Sequence, residues 1–310
     1  MSLKYAFIFA GQGSQNVGMG KDFYLNFPQS KDLLHKASQS LDIDFEKLLF
    51  TENEELNISE FTQPAIVLNS LMTYEALKTK IEPRQEFSLG HSLGEFSALC
   101  VNGAFDFVDG IKIVNLRGKF MQEACDGKGA GMMVILGLDD QKVEDICKDA
   151  LSKGKQVYAA NYNCDGQIVV AGIKDDLDSL QSTFKEAGAK KTMLLNMSVA
   201  SHCPILESAS DKLYDKLELY IKDSFLPVVS NANANVYTEK TNALGLLKQQ
   251  LVSPVLYKQS IKNFENNVDC FIEIGSNILK GMNKKITNKP TLSITDVKSM
   301  DEVIDFLEGK

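Results

Sequence analysis

The sequence predicts an α/β protein in two parts. A large domain on a mainly parallel sheet occupies residues 1–127 and 196–310, and a smaller ferredoxin-like (βαββαβ) subdomain is inserted at residues 128–195. Three observations lead there. Apolar runs of strand length alternate with helical stretches up to residue 125, as expected of a parallel sheet covered by helices. A glycine-rich break, Asp126-Gly127-Lys128-Gly129-Ala130-Gly131, then interrupts the alternation. Beyond it the pattern reads β-α-β-β-α-β until the first pattern resumes at Asn196.

The first strand is the apolar run Tyr5-Ala6-Phe7-Ile8-Phe9-Ala10. Helical patterns follow around 20–50 and over 63–80, then a strand at 86–90 and helices at 93–101 and 106–125. In the insertion, a strand at 132–137 leads to a helix at 139–151, capped by Asp139 or Asp140. Strands at 156–160 and 167–171 pair across a turn containing Asn163, Asp165 and Gly166. A helix at 177–187, closed by Gly188, and a strand at 190–195 complete the unit. The large domain returns with a helix near 204–218, a strand near 225–230, a helix near 241–251, a strand at 269–274 and a helix at 299–308.

A chain of 310 residues, 44% hydrophobic, can bury a large core. Its formal charge of −8 argues against a general nucleic-acid binder. Six cysteines lack metal-ligand spacing and read as buried thiols of a reducing compartment, so no metal site is expected. No run approaches the roughly 18 apolar residues of a membrane span, and the start of the chain lacks a signal-peptide pattern. A cytoplasmic, monomeric protein without membrane attachment is the expectation.

Gly90-His91-Ser92-Leu93-Gly94 joins the strand at 86–90 to the next helix, and it spells G-x-S-x-G. A strand that turns sharply into a helix needs glycines beside the turn, and it holds the serine exposed at a helix N-terminus. Ser92 is therefore the candidate nucleophile, and the large domain is α/β-hydrolase-like. A serine hydroxyl needs a base. The chain has three histidines: His35 sits in a charged helical stretch, and His91, adjacent to the serine, suits bracing the elbow. His202, where the insertion ends, is the candidate base. The rival nucleophile, Cys203, has no elbow and cannot easily face its neighbour His202. The loop 11–20 after the first strand is placed to donate a backbone N–H to an oxyanion. Arg117 reads equally as a surface arginine or as a partner for a substrate carboxylate.

These motifs together resemble the malonyl-CoA:acyl-carrier-protein transacylases of fatty acid synthesis. The resemblance runs through Phe9-Ala10-Gly11-Gln12-Gly13-Ser14-Gln15, Phe61-Thr62-Gln63-Pro64-Ala65 and Gly90-His91-Ser92-Leu93-Gly94-Glu95. It continues through Arg117-Gly118, Asn161 to Gln167 with Ala171-Gly172, Ser201-His202 and Gln250-Leu251-Val252-Ser253-Pro254-Val255. It implies a malonyl-Ser92 ester in a ping-pong transfer from malonyl-CoA to the phosphopantetheine thiol of acyl carrier protein, with His202 as base. It further implies Gln12 and Leu93 N–H groups as the oxyanion hole and Arg117 on the malonyl carboxylate. Gln63 would line the pocket, and a Gln250 carbonyl would orient His202. No metal or bound cofactor is implied.

Two segments depart from the family pattern: Glu273-Ile274-Gly275-Ser276-Asn277, where Glu-x-Gly-Pro-Gly is common, and Tyr257, where tryptophan is usual. The partner implied is an acidic carrier protein, so docking on this acidic chain would need a local basic patch. Lys190-Lys191 and Lys280, Lys284, Lys285 and Lys289 are candidates. The alternatives are a serine (thio)esterase, a malonyltransferase serving a polyketide assembly line in trans, and a non-catalytic scaffold.

Overall fold

A computed structural model describes residues 3–309. Its first part holds β1 (Tyr5–Phe9), α1 (Lys21–Asn26), α2 (Pro28–Leu41), α3 (Phe45–Phe50), α4 (Ser59–Lys78), β2 (Phe87–Gly90), α5 (Gly94–Val101) and α6 (Phe107–Cys125). Next come β3 (Ala130–Leu136), α7 (Asp140–Ser152), β4 (Val157–Cys164), β5 (Gln167–Ile173), α8 (Lys174–Ser179), α9 (Gln181–Glu186) and β6 (Lys191–Leu194). The last part contains α10 (Glu207–Tyr220), β7 (Ser224–Val229), β8 (Val236–Glu239), α11 (Lys240–Val252) and α12 (Tyr257–Phe264). It closes with β9 (Cys270–Ile274), α13 (Ile278–Asn283), β10 (Thr291–Ile294) and α14 (Val297–Glu308).

Six strands form one sheet in the order β10-β9-β1-β2-β7-β8, parallel except for the antiparallel edge strand β8. Strand β1 at its centre is buried along its whole length, as a strand covered on both faces must be. The second sheet runs β4-β5-β3-β6 and is antiparallel, the strand order of a ferredoxin-like unit. Its strands alternate as a two-faced sheet should. Met133 and Ile135 pack against α7 to α9 in a core of their own, while Met132 and Val134 face the larger body. The α/β class and the two-sheet architecture are those expected.

Several local expectations are corrected. Asn163 is not in a turn: β4 runs on to Cys164, and only Asp165-Gly166 turns the hairpin, with Gly166 at φ 72°. The helix expected at 63–80 begins at Ser59, so Pro64 lies inside it. Proline there leaves the Glu60 carbonyl without its helical donor, and Asn115 of α6 supplies one at 2.8 Å. A Cβ on Gly118 would collide with the Ser59 carbonyl oxygen, so this glycine lets α6 lie against the first turn of α4. The helix at 177–187 is broken into α8 and α9 at Leu180.

The inserted sheet joins the larger body along β4. Val255 pairs with this edge, its carbonyl accepting from Tyr162 N at 3.0 Å and its N–H donating to the Ala160 carbonyl at 2.8 Å. Lys258 on α12, nearly buried, bridges Asp140 at 2.5 Å and Asp165 at 3.2 Å. Among the described residues no helix is long and apolar enough to cross a membrane.

Candidate active site

A cavity of about 260 Å³ opens between the two sheets, and Ser92 is in its wall. The serine leaves β2 at φ 52°, a left-handed conformation that side-chain-bearing residues rarely hold. Flanking glycines permit it. A Cβ at Gly90 would strike the Gly94 backbone, and one at Gly94 would strike the Phe9 carbonyl. Asn231, just past β7, braces the turn. Its Oδ1 accepts the Ser92 N–H at 2.6 Å and its Nδ2 donates to the Gly90 carbonyl at 2.7 Å.

Ser92 Oγ lies 2.7 Å from His202 Nε2. The other ring nitrogen, Nδ1, is 2.7 Å from the main-chain carbonyl of Gln250, which can only accept. Nδ1 therefore carries the proton, and the bare Nε2 accepts the serine hydroxyl. Burial first, and then the Arg117 charge, push the His202 pKa down to about 3, while the Gln250 carbonyl opposes them. The imidazole is a neutral base in the resting site.

Arg117 comes from the middle of α6 and is 1% exposed, which removes the surface reading of this residue. Its Nη2 donates to Ser92 Oγ at 3.1 Å and to Gln250 Oε1 at 3.1 Å, and its Nη1 donates to Gln63 Oε1 at 2.8 Å. The Nε atom has no hydrogen-bond partner among the described residues. Burial lowers the pKa to about 10, opposed by the nearby carboxylate of Glu95, so the group stays cationic at neutral pH. A buried cation one hydrogen bond from the serine oxygen has the charge and the planar donor set to pair with an anionic group.

Gln63 does not reach the cavity wall: it is wholly buried behind Arg117, with its Nε2 on Met121 Sδ at 3.4 Å. His91 turns away from Ser92. Its Nε2 pairs with Asn163 Oδ1 at 2.7 Å, and its ring packs on Tyr257, so it ties the elbow to β4 and α12. The amides of Gln12 and Leu93 have no acceptor among the described residues, and Gln12 lines the cavity. Cys203 is buried with its pKa pushed up to about 12, the state of an inert thiol. His35 is exposed on α2.

The departures from the expected pattern have structural roles. The Glu273 carboxylate, buried at the end of β9, accepts the Leu279 and Lys280 N–H groups at 2.9 Å each and so caps α13, whose Ile278, Leu279 and Met282 line the cavity. Tyr257 is fully buried and donates to Asn283 Oδ1 at 2.9 Å. Sequence reasoning gave no role to Glu95, Asn231 or Tyr237. Glu95 stood in plain view beside the elbow, but an acidic residue in a helix start reads as a cap, and nothing local shows that all of α5 is buried.

The acyl transferase domain family matches residues 6–299. The malonyl CoA-acyl carrier protein transacylase of Bacillus subtilis is 37% identical over 311 residues, covering 98% of each chain. Among solved structures, the malonyl-CoA:acyl carrier protein transacylase of Helicobacter pylori superposes with a TM-score of 0.96 at 46% identity over 99% of both chains. The Clostridium perfringens malonyl CoA-acyl carrier protein transacylase gives 0.92 at 40% identity, covering 99% of this chain and 98% of its own. A malonyl-transacylase in complex with its holo type II PKS acyl-carrier protein gives 0.93 at 35% identity, covering 99% of this chain and 100% of its own.

Proposed function

The chain belongs to the malonyl-CoA:acyl carrier protein transacylase family of acyl transferases, and from that premise we propose that it transfers malonyl from malonyl-CoA to the thiol of acyl carrier protein for fatty acid elongation. The transfer is ping-pong. Ser92 Oγ attacks the thioester carbonyl as its proton passes to His202 Nε2, along the 2.7 Å hydrogen bond. The oxygen of the tetrahedral adduct accepts from the Gln12 and Leu93 amides. Collapse releases the coenzyme A thiolate, which takes the proton from His202, and a malonyl-Ser92 ester remains. The carrier's phosphopantetheine thiol then gives its proton to His202, attacks the ester and leaves as malonyl thioester, and Ser92 recovers the proton.

One observation carries this reading over a general esterase: the buried Arg117 guanidinium, 3.1 Å from the nucleophilic oxygen. A malonyl carboxylate offers that guanidinium a charged acceptor, whereas an acetyl group offers none. Residues 128–195 act as one inserted unit that forms the far wall of the cleft through Val134, Asn161, Asn163 and Val169. For the carrier, Lys284 and Lys285 are exposed at the end of α13, beside the cavity-lining residues of that helix. They suit an acidic partner.

The test is intact-protein mass after brief exposure to malonyl-CoA or acetyl-CoA, with Ser92→Ala alongside. A malonyl-sized adduct from malonyl-CoA alone, absent in the variant, is expected. Free malonate without an adduct or a carrier product would make the protein an esterase.

A further inference from the structure

Glu95 is a carboxylate in the interior of the large domain, wholly buried in α5 immediately after the elbow. It is fully occupied: Oε1 accepts from Tyr237 OH at 2.7 Å, and Oε2 accepts from Asn231 N at 2.9 Å and Gln250 Nε2 at 2.7 Å. Removing a carboxylate from water is costly without such partners and a counter-charge. The counter-charge is Arg117, whose field opposes the upward push of burial on the Glu95 pKa. Yet the two do not touch. The Gln250 carboxamide lies between them, its Nε2 on Glu95 and its Oε1 on Arg117 Nη2 at 3.1 Å. The same Nε2 donates to the Ser92 carbonyl at 3.1 Å, and the main-chain carbonyl of Gln250 holds His202 Nδ1. Gln250 thus contacts Glu95, Arg117, His202 and the backbone of Ser92, and Glu95 fixes which way its amide points.

We propose that Glu95 is a positioning residue for acyl transfer: it orients the Gln250 carboxamide and, through that amide, aims the Arg117 guanidinium at the acyl pocket. The arrangement separates two requirements. A carboxylate in direct contact with Arg117 would occupy the fork that the substrate needs. A carboxylate one amide away still balances the cation in the empty site without itself taking any of its donors.

This inference rests on the acyl-transfer reading above, and the two fail separately. The experiment is single-turnover malonyl loading, followed by quenched-flow intact mass, for wild type, Glu95→Gln, Gln250→Met and the double variant. Glu95→Gln keeps the shape, removes the charge and leaves one acceptor oxygen, which can still take the Asn231 and Gln250 donors, while its NH2 faces the Tyr237 hydroxyl. Gln250→Met keeps the main-chain carbonyl and removes the amide link. Each single variant is expected to lower the limiting loading rate about tenfold or more per active serine, and the double variant to lose no more than the worse single. Active serines are counted by burst amplitude, so a variant that folds in part is still scored per active site. A wild-type rate per active serine in Glu95→Gln would overturn the proposal, as would additive losses in the double variant. If Glu95→Gln gives no folded protein, Gln250→Met decides alone: a wild-type rate there breaks the chain from Glu95 to Arg117. Absence of loading in the wild type would instead sink the acyl-transfer reading.

Discussion

The oxygen of Ser92 is shared between a base and a cation: His202 Nε2 at 2.7 Å takes its proton, while Arg117 Nη2 at 3.1 Å donates to a lone pair. The serine is therefore partly engaged by the group proposed to receive the substrate carboxylate. On that proposal, a carboxylate competing for the guanidinium would leave the serine lone pair free for attack.

Removing the cation should cost the enzyme its selectivity. Arg117→Ala deletes a charged hydrogen-bond partner in a buried site, a loss of about 3–5 kcal/mol, or roughly two to four orders of magnitude in malonyl loading. Acetyl loading should rise relative to malonyl, since no unsatisfied cation remains to reject it. The ratio of the two adducts after equal exposure measures this, and an unchanged ratio would refute the role. The variant should also be less stable, because Glu95 loses its counter-charge.

The depressed pKa of His202 has two consequences with pH. In the free enzyme the base stays neutral down to about 3, so kcat/KM for malonyl loading should be flat from pH 8 to about 5. A limb near the ordinary histidine value of 6.5 would contradict this. For stability, the unfolded chain takes up a proton below 6.5 that the folded site refuses until about 3. Stability should fall as pH drops through that window. His202→Gln should flatten the dependence of the melting temperature on pH between about 6.5 and 4, leaving the smaller slope due to His91, which burial also holds low.

The elbow stores backbone strain at Ser92. Glycine adopts φ near 52° without steric cost, whereas alanine keeps the strain of a Cβ there. Strain relief of about 1–2 kcal/mol exceeds the roughly 0.4–1 kcal/mol that glycine loses through the unfolded state. Both variants should be inactive, and Ser92→Gly should have the higher urea midpoint. Equal midpoints would mean that the turn relaxes around alanine.

Charge reversal at the end of α13 tests the carrier surface. Lys284→Glu with Lys285→Glu should raise the apparent KM for acyl carrier protein several-fold at low salt, and less at high salt. Malonyl loading from malonyl-CoA should be unchanged. An unaltered carrier KM would move the docking site elsewhere, with Lys190 and Lys191 the next pair to reverse.

The legible parts of this molecule are those in which neighbours in sequence are neighbours in space. The alternation before residue 125, the elbow at 90–94 and the βαββαβ order all report local periodicity and local turns. Asparagine usually marks a turn, and the spacing predicts one at Asn163, but here it is a strand residue that lines the cleft and holds His91. The short elements β8, β10, α12 and α13 went unread, since four to eight residues carry too little periodicity to stand out. The position of Arg117 depends on Gly118 meeting Ser59 and on Asn115 meeting Glu60, contacts that spacing cannot show. The same holds for Glu95, whose partners Asn231, Tyr237 and Gln250 all lie more than 130 positions away.

The acceptor that orients His202 belongs to the main chain, and this changes what mutation can do to the site. A catalytic aspartate is lost to a single codon change. The carbonyl at position 250 is present whatever side chain the codon specifies, so substitutions there alter the amide link to Arg117 and leave the histidine's tautomer in place. Only a change in the path of the chain, such as a residue inserted or deleted near the end of α11, would remove that acceptor from the ring. Variation among descendants of this sequence should therefore shift acyl preference at this position far more readily than it disables the base.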